Sequence, residues 1–499
     1  MFNKTQGISL NEPETLNEQG SKTMQTSKTM QTSKNMQTSK SIQRSKSIKN
    51  SISLNTPIGT SLNYIGSKVR TRTKRRPPSK KMATIKIDSH KITNFTRKTA
   101  SRKIASFMKN HRSKIRLTFL NTVCTDSNVC IAFGKETKII RDFFNDFDFR
   151  LMSEEPRIIG GKSQNGTVQL LTFEKDGYKA NAIFKKSNVK YSDNLAYEAI
   201  VGRFINKQKL RFPCFLETYG LYYNSHQDKK ITTYKKMDIN RDSLIRSCKY
   251  PLSIGIMIEN IKESQTLDYI ITESIYQDTK YVEFMNKDLL YILYQIYGPL
   301  SILSDVFTHY DLHGDNVMLY SLGYKHIKYH YHYPDRVVKF NSTYIVKIID
   351  YGRSFFKDDS GYNPKDIYKD LCESSHCNEC GKYRGFESLD IDPTHHISAQ
   401  NCNMSHDLVL LTNLQYYPKT YNKDLLDLIF STEYKDNYET TEMIGENAKK
   451  VFTVNEARRQ LEKLMRKMIF RKNNSYDPSN KMGEMHIYSD GRPMVYNII

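Results

Sequence analysis

Apolar and polar positions change rhythm several times along this chain, and each change predicts an element. The runs VMLY (317–320) and YIVKII (344–349) are continuous apolar stretches of strand length, the pattern of short buried strands. ANAIF (180–184) is a third such run and leads into Lys185 and Lys186, which point to opposite faces if the strand continues. In NLAYEAIVGRFINK (194–207) the positions Leu195, Ala199, Val201, Gly202 and Ile205 fit one helical face better than strand alternation. KDLLYILYQIYGPLSILSDVF (287–307) predicts a long apolar helix. Its polar interruptions leave too little uninterrupted apolar length for a bilayer span, so it is expected as a buried central helix. SHDLVLLTNL (405–414) starts another apolar helix near Asp407, and TVNEARRQLEKLMRKMI (453–469) is amphipathic behind a Thr453-x-x-Glu456 capping box. MHIYSDGRPMVYNII (485–499) places a turn at Asp490-Gly491 between two β-rich runs, a hairpin pattern. KHIKYHYHYPDR (325–336) reads as a polar surface insertion.

The chemistry concentrates in FTHYDLHGDNVMLY (307–320) and the Asp350-Tyr351-Gly352 step. Asp311 stands five residues before Asn316, and the second aspartate comes just after the YIVKII strand. Phosphoryl transfer from ATP needs one carboxylate to orient and deprotonate a hydroxyl, plus oxygen ligands for Mg²⁺. These three side chains supply that set. Their order resembles the catalytic and metal loops of the protein kinase superfamily, H-R-D-x-x-x-x-N and then D-F-G. The resemblance implies that Asp311 is the base, Asn316 and Asp350 hold Mg²⁺, and His309 is structural.

The same resemblance makes demands upstream. IIGGKSQNGTVQLLTF (158–173) reads as Gly161-x-Ser163-x-x-Gly166-x-Val168, a phosphate-loop pattern with serine in place of the middle glycine. Lys185 is then the phosphate lysine, with Lys186 as the alternative, and Glu198 on the next helix is its partner. IGIMIENIKESQTLDYII (254–271) resembles the family's fifth strand, hinge and succeeding helix. This puts Ile258 at the back of an adenine pocket, and the backbone of Glu259 to Ile261 offers hydrogen bonds to adenine. Asp407 either braces the catalytic-loop backbone, as in the family, or is an ordinary N-cap.

Departures from the pattern narrow the reading. Tyr310 replaces the usual catalytic-loop arginine, so no arginine is available there for an activation-loop phosphate. His313 and Gly314 replace Lys-Pro, a form seen in aminoglycoside-phosphotransferase-like kinases, and no A-P-E comes after Gly352. The whole pattern, with NLAYE, THYDLH and IIDYG, resembles divergent kinase-like proteins of large DNA viruses.

Charge is distributed unevenly. The chain has a formal net charge of +23, and from Lys22 to Arg116 there are 25 Lys and Arg against one acidic residue, Asp88. Residues 117–499 are close to neutral. Inside the basic tail run SKTMQT, SKTMQT, SKNMQT, SKSIQR and SKSIKN, a six-residue repeat that matches no helical period and offers too little apolar surface to offset ordering entropy. It reads as disordered, and its regular Ser and Thr beside Lys mark it as a candidate phosphorylation substrate, with the chain's own kinase-like domain among the candidate enzymes. KVRTRTKRRPPSKK (68–81) reads as a nuclear localisation signal, a nucleic-acid contact, or a solvated charge run.

The eight cysteines do not form a secreted disulfide framework, which fits a reducing, intracellular setting: host cytoplasm, nucleus or virion. Cys372, Cys377 and Cys380 with Cys402 are either zinc ligands holding an insertion or ordinary thiols.

The expected architecture is α+β: a two-lobed protein kinase-like fold behind a disordered basic tail. The tail covers 1–116, a linker or N-terminal extension 117–154, the N-lobe 155–262 and the C-lobe 263–499. The expected function is an ATP- and Mg²⁺-dependent serine/threonine protein kinase of atypical type, acting on a protein substrate, with no membrane association. Two alternatives remain: a pseudokinase scaffold, and a phosphotransferase for small-molecule hydroxyls.

Overall fold

The computed structural model describes residues 122–124, 130–133, 136–159, 166–175, 178–225, 230–261, 264–275, 278–369, 401–417, 422–435, 450–470 and 476–498. The chain divides into Met1–Ile85 and Lys86–Ile499, and every described residue belongs to the second unit. The basic tail with its repeats therefore lies outside the described residues. So do Gly161, Ser163, Cys372, Cys377 and Cys380.

Strands β1 (Thr122–Cys124) and β2 (Cys130–Ala132) form a small antiparallel pair, and helix α1 (Glu136–Phe143) comes next. Six strands then build one antiparallel sheet in the order β3-β4-β5-β8-β6-β7. They are β3 (Arg157–Ile158), β4 (Gly166–Lys175), β5 (Tyr178–Ser187), β6 (Thr218–Asn224), β7 (Lys235–Met237) and β8 (Ser253–Glu259). The alternation in β5 settles the choice between the two lysines. Ala180, Ala182 and Phe184 pack outward with Phe144, Phe147 and Phe173 in a satellite core, so Lys185 takes the opposite face. Lys186 lies on the Phe184 side, with its ammonium 5.9 Å from the centre of the Tyr234 ring.

Helix α2 (Asn194–Lys209) covers the inner face of that sheet, where Ile254, Ile256 and Ile258 of β8 join Ala199 and Ile200 in the main core. Gly202 permits this approach: a Cβ there would sit 2.0 Å from Thr218 Oγ1. The helical half centres on α3 (Leu289–Ile302), buried on nearly every side. A π-turn over Phe284–Asp288 leads into it, and α4 (Val454–Phe470) packs along it. Its apolar side chains each contribute about 1.5–3 kcal/mol on burial. The capping box of α4 forms as its spacing implies, with Thr453 Oγ1 accepting from Glu456 N and Glu456 Oε2 accepting from Thr453 N, both at 3.2 Å.

Strand β11 (Val317–Ser321) pairs antiparallel with β14 (Tyr344–Ile348) and with the short β9 (Gln265–Thr266). These are the VMLY and YIVKII runs. A further short pair joins β10 (Phe307–Thr308) to β15 (Phe355–Phe356).

The expected surface insertion at 325–336 is corrected by the structure. His326–His332 is strand β12, inside a four-stranded sheet ordered β13-β12-β16-β17, with β13 at Val337–Ser342, β16 at Lys481–Tyr488 and β17 at Val495–Ile498. Ile327, Tyr329 and Tyr331 alternate into the core at no more than 1% exposure. The period-two pattern was present, but tyrosine and histidine supply the apolar and polar phases where Val and Thr usually do. β12 runs parallel to β16, and β16 and β17 form the expected hairpin, with Gly491 at φ +92° in the connecting turn.

Candidate active site

Lys185 Nζ lies 2.9 Å from Glu198 Oε1 and 3.2 Å from Asp350 Oδ1. One ammonium thus meets two carboxylates, from helix α2 and from the loop after β14. Burial pulls the Lys185 ammonium down, but Asp350 and Glu198 outweigh it and hold the group above its ordinary value. Burial pushes Glu198 up to about 7, with Lys185 opposing, whereas Lys185 holds Asp350 below the usual carboxylate range. Of the two carboxylates, Asp350 is therefore the firmly ionised one. Its side chain is 46% exposed, against 5% for Glu198, and its backbone is left-handed at φ 65°. Asp350 is the carboxylate turned toward solvent, where a cation could reach it.

The Asp311 loop is held from beneath. Asp407 Oδ2 accepts from His309 N at 2.9 Å and Oδ1 from Tyr310 N at 3.0 Å. Its own backbone carbonyl accepts from Tyr297 OH of α3. Asp407 sits inside its short helix, whose N-cap position is Ser405, so of the two expectations for it the structure forms the brace. The His309 ring is fully buried. Nδ1 accepts from Asp311 N at 3.3 Å and Nε2 faces Ile349 O at 2.9 Å, which assigns the ring proton to Nε2. His309 thereby links the Asp311 loop to the residue before Asp350. Asn316 Nδ2 donates to Asp311 O at 2.8 Å, so its amide oxygen is the end left to meet a cation.

Tyr310 adopts φ +62° and is 2% exposed, with its hydroxyl donating to Asn401 O. It fills the arginine position with a buried anchor. Sequence reasoning missed Arg353, whose Nη1 lies 3.3 Å from Asp311 Oδ1. His313 Nε2 stands 4.0 Å from the same oxygen. Gly166 and Val168 sit on β4, where Val168 pairs with Lys185. A Cβ on Gly166 would stand 2.2 Å from the Lys186 carbonyl oxygen.

Ile258 and Ile261 are both 8% exposed, at the end of β8 and just beyond it. At Glu259 the backbone N–H donates to Glu217 O at 2.8 Å. Its carboxylate is the centre of a buried network: Lys209 Nζ at 2.5 Å, Glu217 N at 3.0 Å and Lys347 Nζ at 3.4 Å. Glu217 adds Arg141 at 2.7 Å. Burial pulls Lys347 down to about 8. Removing one member of such a set leaves an uncompensated buried charge and costs about 3–5 kcal/mol. Lys347 was visible as a lone charge inside the apolar YIVKII run.

Of the four cysteines considered for zinc, Cys402 alone is described. Its Sγ donates to Ser304 O at 2.8 Å, and burial pushes the thiol up to about 11. Cys214 is a free thiol as well, whereas Cys248 is disulfide-bonded, which departs from an all-thiol chain. No helix among the described residues is long and apolar enough to cross a membrane.

Compared with known proteins, the chain matches no family model and no curated protein. Among solved structures it is similar to the crystal structure of the PF14_0431 kinase domain, at 18% identity and a TM-score of 0.25. That match covers 42% of this chain and about half, 54%, of the other. A TM-score this low establishes no activity for this chain.

Proposed function

We propose that this chain is an ATP-dependent phosphotransferase of the protein kinase type, passing the γ-phosphoryl group to a serine or threonine hydroxyl. One observation carries the reading: Lys185 bridges Glu198 and Asp350, while His309 and Asp407 fix the loop that bears Asp311 and Asn316. Asp350 and Asn316 would hold Mg²⁺, since a half-exposed ionised carboxylate and an amide oxygen suit a hard cation. Bound there, Mg²⁺ would neutralise phosphate charge. Lys185 positions the nucleotide phosphates, and Glu198 positions Lys185. Asp311 orients the acceptor hydroxyl and takes its proton, with Arg353 beside it to steady the carboxylate or the incoming phosphoryl group. The Ser and Thr of the tail repeats are the first acceptors to examine, because tethering raises their effective concentration.

The second reading, a nucleotide-binding scaffold without turnover, is favoured by the Arg353 guanidinium that already engages Asp311. A transfer assay with labelled ATP separates the two. Asp311→Asn should leave Mg-ATP binding nearly intact and reduce transfer by at least about 100-fold. Lys185→Ala should impair both, and Lys186→Ala neither. Equal background signal from the wild type and Asp311→Asn would establish the scaffold.

A further inference from the structure

We propose that His330, His332 and His486 form a binding site for a divalent transition metal of the zinc class, which fastens the C-terminal hairpin to strand β12. The site lies on the four-stranded sheet and uses none of the residues assigned to phosphoryl transfer. On β12, Ile327, Tyr329 and Tyr331 enter the core, so His330 and His332 share the opposite face. The parallel register sets His486 of β16 directly beside His330. The three imidazoles each offer a nitrogen within 4.8 Å of the others, and His332 Nε2 is already 2.9 Å from His486 Nδ1. Two nitrogens on one tetrahedral zinc, each about 2.0–2.1 Å from it, stand about 3.4 Å apart. Small ring rotations therefore bring all three into range.

A second observation points the same way. The His330 side chain is 8% exposed, and its Nε2 is buried without a hydrogen-bond partner, a state that a bound ligand relieves. Glu484, two residues before His486 on the same face, brings Oε2 to 3.4 Å from His330 Nε2 and 3.7 Å from His486 Nε2. Its other oxygen accepts from Lys481 Nζ at 2.5 Å, so it lies beside the three imidazoles as a neighbouring anion, and solvent completes the coordination of an ion bound by the three nitrogens. His332 and His486 are partly exposed, so an ion can reach the site from solvent. Three imidazole nitrogens select zinc, cobalt, nickel or copper over magnesium.

The test uses the full chain carrying Cys372→Ser, Cys377→Ser, Cys380→Ser and Cys402→Ser, which removes the four cysteines considered for zinc. Stripped of metal and titrated with Zn²⁺ by calorimetry near pH 7.5, it should bind about one ion with micromolar or tighter affinity. His332→Gln and His486→Gln should each weaken binding at least about tenfold, and Mg²⁺ should not compete. Co²⁺ should give visible absorption of tetrahedral type without thiolate charge-transfer bands. Circular dichroism and the melting midpoint without metal show whether each variant is folded. If both variants unfold, the Co²⁺ spectrum of the parent decides. Absence of Zn²⁺ binding, binding undiminished in folded His332→Gln and His486→Gln, or a thiolate-type Co²⁺ spectrum would overturn the proposal and leave a metal-free imidazole stack.

Discussion

The Tyr197 hydroxyl donates a 2.6 Å hydrogen bond to the Ser354 carbonyl, tying the helix that carries Glu198 to the segment just past Asp350. Tyr197 is fully buried and precedes Glu198 by one residue. Tyr197→Phe removes one buried hydrogen bond with little change of shape, and about 1 kcal/mol of stability should go with it. Since the bond sets the position of Glu198 relative to Asp350, kcat should fall severalfold while the folded content by circular dichroism stays unchanged. An unaltered kcat would show that Lys185 alone keeps the two carboxylates in place.

Asp407 uses both carboxylate oxygens on backbone N–H groups of the Asp311 loop. Asn in its place must turn an NH₂ toward one of them, leaving two donors face to face. Asp407→Asn should lower unfolding stability by about 1–3 kcal/mol and depress phosphoryl transfer further than that loss explains at temperatures where the variant is folded. Urea denaturation alongside the transfer assay measures both.

Asp288 gives a pH signature outside the site. Burial pushes its carboxyl up to about 6, with the Thr343 hydroxyl and Lys287 opposing. In the unfolded chain the same group titrates near about 4. The folded state therefore keeps a proton that the unfolded chain has released. This contribution is fully present below about pH 4 and fades as pH rises through about 6. Asp288→Asn carries no such proton, so relative to wild type it should gain about 2 kcal/mol between pH 4 and pH 7. Thermal melts across that range check it, and parallel curves for the two proteins would contradict it.

The clustering of the candidate site's side chains was legible in the sequence because they stand at short fixed spacings next to strand-length apolar runs. Asp311, Asn316 and Asp350 stand beside apolar runs whose strand pairing, β11 with β14, is implied by their length. Lys185 and Glu198 are 13 positions apart, and strand parity with helical phase brings them together. The Lys209, Glu217, Glu259 and Lys347 network was not legible, because its members come from four separate stretches of chain and all but Lys347, a lone charge in an apolar run, resemble solvated charges on their own. Strand β12 was misread for a related reason. Its tyrosines bury rings as large as any apolar side chain, while their hydroxyls mark them as polar to a reader of composition.

The pairing of β12 with β16 also sets an order of events at the ribosome. Residues 326–332 are synthesised well before 481–488, and no turn can bring parallel strands together early. Until the last part of the chain emerges, β12 has β13 on one side and an open row of backbone donors and acceptors on the other. Such an edge invites pairing with another chain. A nascent or truncated form of this protein should therefore need a chaperone at β12, and loss of the final hairpin should act first on solubility, before catalysis is reached.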